Sequence, residues 1–149
     1  MCPRPRVGRP DGAPRGCSRT VGPPNVSVLQ LETGRLRPAV VRVERHPYRP
    51  RHDLVAACHD RGIRVVAHSP PSAPGLLDEP VLETVGEDQE FSPAGVVLAW
   101  NATRDVVPIP SSTTPRHVIS NLAAIAERLP PSAMERVDAL RAPDFERRG

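Results

Sequence analysis

The strongest constraint on this chain is an alternation. Three short runs rich in β-branched residues, PAVVRVER (38–45), IRVVAH (63–68) and VVPI (106–109), are each followed by a segment of helical character. β-Branched side chains are stiff at χ1 and suit a pleated surface, so these runs read as strands. The segments between them are long enough for a crossover, which a parallel pair of strands requires. The pattern therefore specifies parallel βαβ units in an α/β fold. Three units are visible, with a partial fourth near Val21. Three parallel strands alone make an awkward sheet. Either this is a small open α/β domain, or it is part of a sheet that closes elsewhere.

The helical segments carry their own punctuation. PRHDLVAACHDRG (50–62) places Leu54, Val55, Ala57 and Cys58 on one face and stops at Gly62. SPPSAPG after the second strand is a loop. A short helical piece follows near residues 80–85. The next, SPAGVVLAWNAT, has Ser92 as N-cap and Pro93 at the first helical position. PRHVISNLAAIAERL is the third major helix, and a last one is expected from Ser132, where Ser132 and Glu135 have the spacing of a capping box.

Charge is unevenly spread. Residues 1–20 carry five Arg against one Asp, net +4, and the other 129 residues carry 15 Arg against 16 acids, net −1. The body is near neutral, which makes nucleic acid an unlikely partner. The Pro-, Gly- and Arg-rich segment 1–20 cannot bury enough apolar surface to offset its ordering entropy and is expected to be a disordered tail. All 20 basic residues of the Lys/Arg count are arginine. No lysine is therefore available as acid, Schiff base or phosphate clamp. The three cysteines, Cys2, Cys17 and Cys58, lack metal-like spacing, and Cys58 is expected to be a buried free thiol. No run approaches the length of a membrane span and the N-terminus lacks a signal-peptide core, so the expected setting is cytoplasmic.

VPIPSSTTPRHVISN (107–121) combines a strand end, four hydroxyl residues and a helix start. That order suits a phosphate, which in β/α barrels commonly sits at the last βα loops against a helix N-terminus. Thr114 is placed to cap the helix, Pro115 fits its first position, and Ser111, Ser112 and Thr113 add hydroxyl donors. The same residues also read as an ordinary well-capped helix start. His46 and Pro47, in ERHPY, read as a turn out of the first strand. The five histidines form no metal-binding spacing, so no metal is expected. Neither a G-x-S-x-G elbow nor a glycine-rich phosphate loop occurs.

RPAVVRVERHPYRPRHDL, ACHDRGIRVVAHSP, LLDEPVL with SPAGVVLAW, and VVPIPSSTTPRHVISNLAA follow one another with characteristic spacing. Together they resemble the C-terminal half of the aldo-keto reductase family, with most similarity to bacterial members of the diketogluconate reductase type. The H-P-Y turn resembles the end of that family's sixth strand, and H-S-P its Y-S-P after the seventh. VGPPNVSVLQLE (21–32) is similar to the end of the fifth. The resemblance implies a partial (β/α)8 TIM barrel, roughly strands five to eight with their helices, over residues 21–149. It implies an oxidoreductase family using NADP(H).

Carried over one at a time, the family's cofactor positions fall on Asn25 for the nicotinamide carboxamide and on Arg42, where a glutamine is usual. His68 stands in place of a stacking tyrosine, and Ser69 lies near the pyrophosphate. In the last loop Ser111 replaces a lysine, Ser112, Thr113 and Thr114 supply hydroxyls, His117 replaces an arginine, and Asn121 matches an adenine-contacting asparagine. The family's catalytic Tyr, Lys, Asp and His lie on the first four strands. Here there is no lysine, and the only tyrosine, Tyr48, belongs to the H-P-Y turn. The resemblance thus implies no catalytic residue, no independent activity, and a half barrel that pairs with a complementary N-terminal half or with itself. The alternative is a non-catalytic nucleotide-binding or partner-binding half-barrel module.

Overall fold

The β-branched runs pair in chain order. In a computed structural model, which describes residues 38–68 and 70–141, β1 (Val40–Glu44), β2 (Arg64–His68) and β3 (Val106–Ile109) form one three-stranded sheet, β1-β2-β3, with both pairs parallel. Helix α1 (His52–His59) links β1 to β2. A 3-10 turn (Leu76–Asp78), α2 (Pro80–Gln89) and α3 (Pro93–Ala102) link β2 to β3, and α4 (Pro115–Ala126) and α5 (Pro131–Asp138) follow. The expected tail over 1–20 and the partial strand near Val21 lie outside the described residues. No helix of the described residues is long and apolar enough to cross a membrane.

Register decides which side of the sheet is covered. Val41 pairs with Val65 and Val43 with Ala67, while Val65 pairs with Val106, so these side chains share one face. They pack with Leu54, Val55 and Cys58 of α1 and with Ile63 in one core. Cys58 is a buried free thiol, as expected, and burial pushes its pKa up. The opposite face carries Arg42, Glu44, Val66, His68, Val107 and Ile109. Val107 and Ile109 are exposed there. In a closed barrel this is the inward-looking face.

A second core joins α2, α3 and α5 around Trp100, with Leu82, Val85, Val96, Val97 and Val137 fully buried. Helix α3 is apolar on every side because it lies between neighbours: α4 on one side, α2 on another, and β3 beside them. Helix α4 is the reverse. It buries only Ala124, and Ile119 and Leu122 are 70% and 63% exposed, so its apolar stripe has no cover among the described residues.

Three expectations about helix starts need correction. The last helix starts at Pro131 with Pro130 at the N-cap, so Ser132 falls inside the first turn and no capping box with Glu135 forms. Consecutive prolines fix the extended-to-helical switch before the serine is reached. Thr114 does occupy the N-cap of α4, but its hydroxyl caps nothing; the Thr114 N–H donates instead to Ser112 Oγ at 3.2 Å. Helix α1 begins at His52 rather than at Pro50, after Arg51 in the left-handed region at φ 47°. By contrast, Ser92 Oγ accepts from Gly95 N at 3.1 Å, with Pro93 opening α3, as the spacing predicts.

Helix α2 runs four residues past the expected 85 and closes where Phe91 N donates to Gly86 O at 2.8 Å. A Cβ on Gly86 would stand 2.5 Å from the Phe91 carbonyl oxygen. Gly86→Ala is therefore expected to destabilise by ~1–3 kcal/mol despite alanine's better helix propensity. A lower urea midpoint with unchanged m would register this.

Candidate functional site

Pro110 ends β3, and the hydroxyl run carries the chain to Pro115 at the first position of α4. The intrahelical ladder of α4 opens with Val118 N donating to Thr114 O at 3.1 Å, so the amides of Arg116 and His117 precede it. Beside this loop lies a cleft of ≈ 770 Å³. Ser111, Ser112, Arg116, His117, Ser120 and Asn121 line it from the loop and α4. Phe91, Gly95 and Leu98 line it from α3 and the turn before it. The cleft is thus partly apolar with polar groups clustered on the loop and α4, the composition typical of a small-molecule site.

Its close fit depends on glycine. A Cβ on Gly95 would come within 3.2 Å of Phe91 Cβ and 3.3 Å of Ala124 Cβ, so Gly95 lets α3 and α4 approach where they flank the cleft.

The residues expected from sequence divide into groups. Ser111, Ser112, His117 and Asn121 converge on the one cleft. Thr113 and Thr114 are exposed on the same loop but do not line it. Arg42 and His68 lie elsewhere, on the open sheet face, where His68 is in register with Glu44 and Ile109 and Arg42 with Val66. Asn25 and Ser69 lie outside the described residues. Arg116 and Ser120 line the cleft and were not singled out in the sequence, although both sit within 107–121. Arg116 is flagged only by being a cation in the first turn of a helix, where charge is ordinarily acidic.

Around the first βα loop the ionisable groups are structural. Arg45 is fully buried. Its Nε donates to Pro50 O at 2.9 Å, its Nη1 to Asn101 Oδ1 at 2.5 Å, and its guanidinium lies 3.9 Å over the Trp100 ring. Burial, then the nearby Arg104 charge, push its pKa down to about 9. The Tyr48 hydroxyl donates to Glu79; burial and that carboxylate push it up to about 12. His46 and Arg49 exchange backbone hydrogen bonds across the turn, so HPYR does turn the chain, as expected. Among the described residues no three His, Cys, Asp or Glu side chains gather to hold a metal.

Burial holds the His46 pKa below 6.5, outweighing the raising effect of Glu44, and His52 shifts the same way for the same leading reason. A neutral histidine that resists protonation in the native state still protonates when unfolded. Below pH 6.5 the unfolded state therefore binds more protons, and stability present at neutral pH is lost as the pH falls toward the folded pKa. The melting temperature should drop below about pH 6.5, and a His46→Asn, His52→Asn double variant should show a shallower drop.

The family model described as "Aldo/keto reductase family" matches residues 16–142. Pig aldo-keto reductase family 1 member A1 is 36% identical over 140 residues, covering 85% of this chain and 43% of that protein. The chain thus spans less than half the length of the curated relatives it matches. Among solved structures, a silkworm (Bombyx mori) aldo-keto reductase in complex with NADP superposes with a TM-score of 0.72 at 23% identity, over 83% of this chain and 45% of that one. A protein provisionally designated 2,5-diketo-D-gluconic acid reductase B superposes at 0.77 with 21% identity, over 85% and 47%. At such identities the likeness establishes the fold.

Proposed function

Because this chain belongs to the aldo/keto reductase family and its described residues form an arc of that family's barrel, we propose that the cleft beside α4 seats the adenosine end of NADP(H). One observation carries this reading: Ser111, Ser112, His117 and Asn121, separated along the loop and helix, converge on one cleft of ≈ 770 Å³. That volume lies within the range of nucleotide-sized sites. A silkworm relative of the same fold is known in complex with NADP. Ser111 and Ser112 would hold phosphate oxygens and Asn121 the adenine. Arg42, His68, Asn25 and Ser69 belong to the nicotinamide and pyrophosphate end, and Thr113 and Thr114 support the loop. Bound NADPH would supply a hydride.

The reading includes a limit. These 149 residues contain no lysine, and their one tyrosine donates to Glu79 with its hydroxyl pushed up to about 12. A general acid works best near the operating pH, so Tyr48 is unsuited to that role. We therefore assign no catalytic residue here and expect no carbonyl reduction from these residues alone. The setting proposed is cytoplasmic.

NADPH titration of the chain tests the cofactor reading. Saturable enhancement of nicotinamide fluorescence is expected, with affinity reduced about tenfold in Asn121→Ala, the loss of one good buried hydrogen-bonding contact. No binding at millimolar NADPH would sink it.

A specific observation also favours the partner-binding reading. Val107, Ile109, Val118, Ile119 and Leu122 are all exposed, on the open sheet face and on α4. We propose that the remaining β/α units of a barrel cover them, supplied by a complementary N-terminal half or, failing that, by self-association. Sedimentation of the chain alone and with residues of a relative's N-terminal half checks this. A strictly monomeric chain that ignores the added half would refute it.

A further inference from the structure

Where α1 starts, beside the first βα loop, lies a second and smaller cavity of ≈ 240 Å³. Three arginines line it: Arg49 from the turn after β1, Arg51 from the residue before α1, and Arg141 from just past the end of α5. Among the described residues one carboxylate, that of Asp53, lines it with them. Three positive charges thus meet one negative in a body that is net −1 beyond residue 20. We propose that this cavity seats a phosphate dianion, free or carried by a small organic molecule. The cavity shares no lining residue with the cleft beside α4, and the proposal does not rest on the cofactor reading.

The surroundings reinforce the charge. Arg49 is buried, and its Nη1 donates to Glu44 Oε2 at 2.8 Å, a carboxylate outside the lining. A guanidinium carries more donors than one carboxylate oxygen can take, so this bond orients Arg49 without exhausting it. Asp53 enters no ion pair among the described residues, so no guanidinium of the cavity is tied to it. The ladder of α1 opens with Val55 N donating to Arg51 O at 3.0 Å. The amides of His52, Asp53 and Leu54 precede it and add partial positive charge at the same wall. His52, which lines the cavity, is held below its ordinary pKa first by burial and then by Arg104, with Arg45 and Arg141 acting the same way and Asp138 opposing them. Phosphate suits such a set because its diverging oxygens can take guanidinium forks from several elements at once. Volume limits the rest of the molecule. The cavity lies below the ~300–1,000 Å³ of drug-sized sites, which leaves room for a short substituent and none for a nucleotide.

The chain carries its own reporter. Trp100 is its one tryptophan, and the His52 ring stands 6.4 Å from it, so Trp100 emission senses the cavity wall. Inorganic phosphate, titrated at constant ionic strength against chloride, should change that emission saturably, with half-saturation at about 1 mM. Arg51→Gln and Arg141→Gln should each weaken binding about tenfold, since both guanidiniums are partly screened by water. Asp53→Asn should tighten it several-fold, because the one like charge in the lining is gone. A merely structural role for the three arginines predicts no such gain. Circular dichroism confirms that the variants keep their helices. Tighter binding of glycerol phosphate than of phosphate would assign the seat to an ester, and the reverse order to the free ion; either supports the cavity as the seat. No saturation by about 20 mM phosphate would overturn the proposal. So would unchanged affinity in both arginine variants. A response abolished by Arg116→Gln would also overturn it, by putting the anion in the cleft beside α4.

Discussion

Trp100→Ala is expected to cost ~3–5 kcal/mol and, in a domain of ordinary stability, to abolish its cooperative unfolding transition. Trp100 is fully buried at the centre of the core formed by α2, α3 and α5. Three separate losses coincide in the variant. The indole volume becomes a cavity in a packed interior, which relaxes only partly. The Nε1–H that donates to Asp138 Oδ1 at 2.8 Å disappears, while Asp138 keeps Arg104 as its ion-pair partner. Arg45 and Arg104, at 3.9 and 5.0 Å from the ring centroid, lose the aromatic face that they cover. Trp100→Phe separates these contributions. It retains most of the apolar volume and an aromatic face, so it should cost about 1–2 kcal/mol, mainly the hydrogen bond and a small void. Urea denaturation followed by far-ultraviolet circular dichroism gives both values. Equal loss in the two variants would mean that the hydrogen bond, not the packing, dominates.

The contrast between strands and clusters says what a sequence of this kind discloses. β1, β2 and β3 fall within a residue or two of the β-branched runs, because an alternating strand is defined by its own side chains and one face of burial. Helix α3 was equally plain, since Ser92 and Pro93 announce its start and no polar face interrupts it. Helix α2 extends beyond what its sequence suggests: polar Glu87, Asp88 and Gln89 form its last turn, whose Gly86 must sit against Phe91. That contact is tertiary and leaves no local mark. The site divides in the same way. Ser111, Ser112, His117 and Asn121 lie in one stretch and meet in one cleft. Arg42 and His68 lie apart from it, on the open sheet face. The Arg45–Asn101 bond joins residues 56 apart, and no spacing rule connects them.

That bond carries the second large prediction: Asn101→Leu should destabilise by ~3–5 kcal/mol, while Arg45→Met should cost far less or even stabilise. Asn101 is fully buried; its Oδ1 accepts from Arg45 Nη1 at 2.5 Å and its Nδ2 donates to Val97 O at 2.9 Å. Arg45 is fully buried too, and among the described residues its Nη2 has no hydrogen-bond partner. With Asn101 gone, the guanidinium keeps, among the described residues, the Pro50 carbonyl and the Trp100 ring against the cost of desolvation. The pKa gives the sign of that cost. Burial holds Arg45 down at about 9, below the ordinary guanidinium value, so above that pH the unfolded chain binds more protons and native stability rises with pH. At neutral pH, below that value, the charge is a full burden on the native state. Removing it with methionine, which fills similar volume, relieves the burden that Asn101 now offsets. The double variant Arg45→Met, Asn101→Leu should accordingly be more stable than Asn101→Leu alone, because two polar partners lost together leave nothing charged behind. Matching urea midpoints for the single and double variants would show instead that Asn101 acts through its bond to Val97 O, as a brace of α3, and not as the partner of a buried cation.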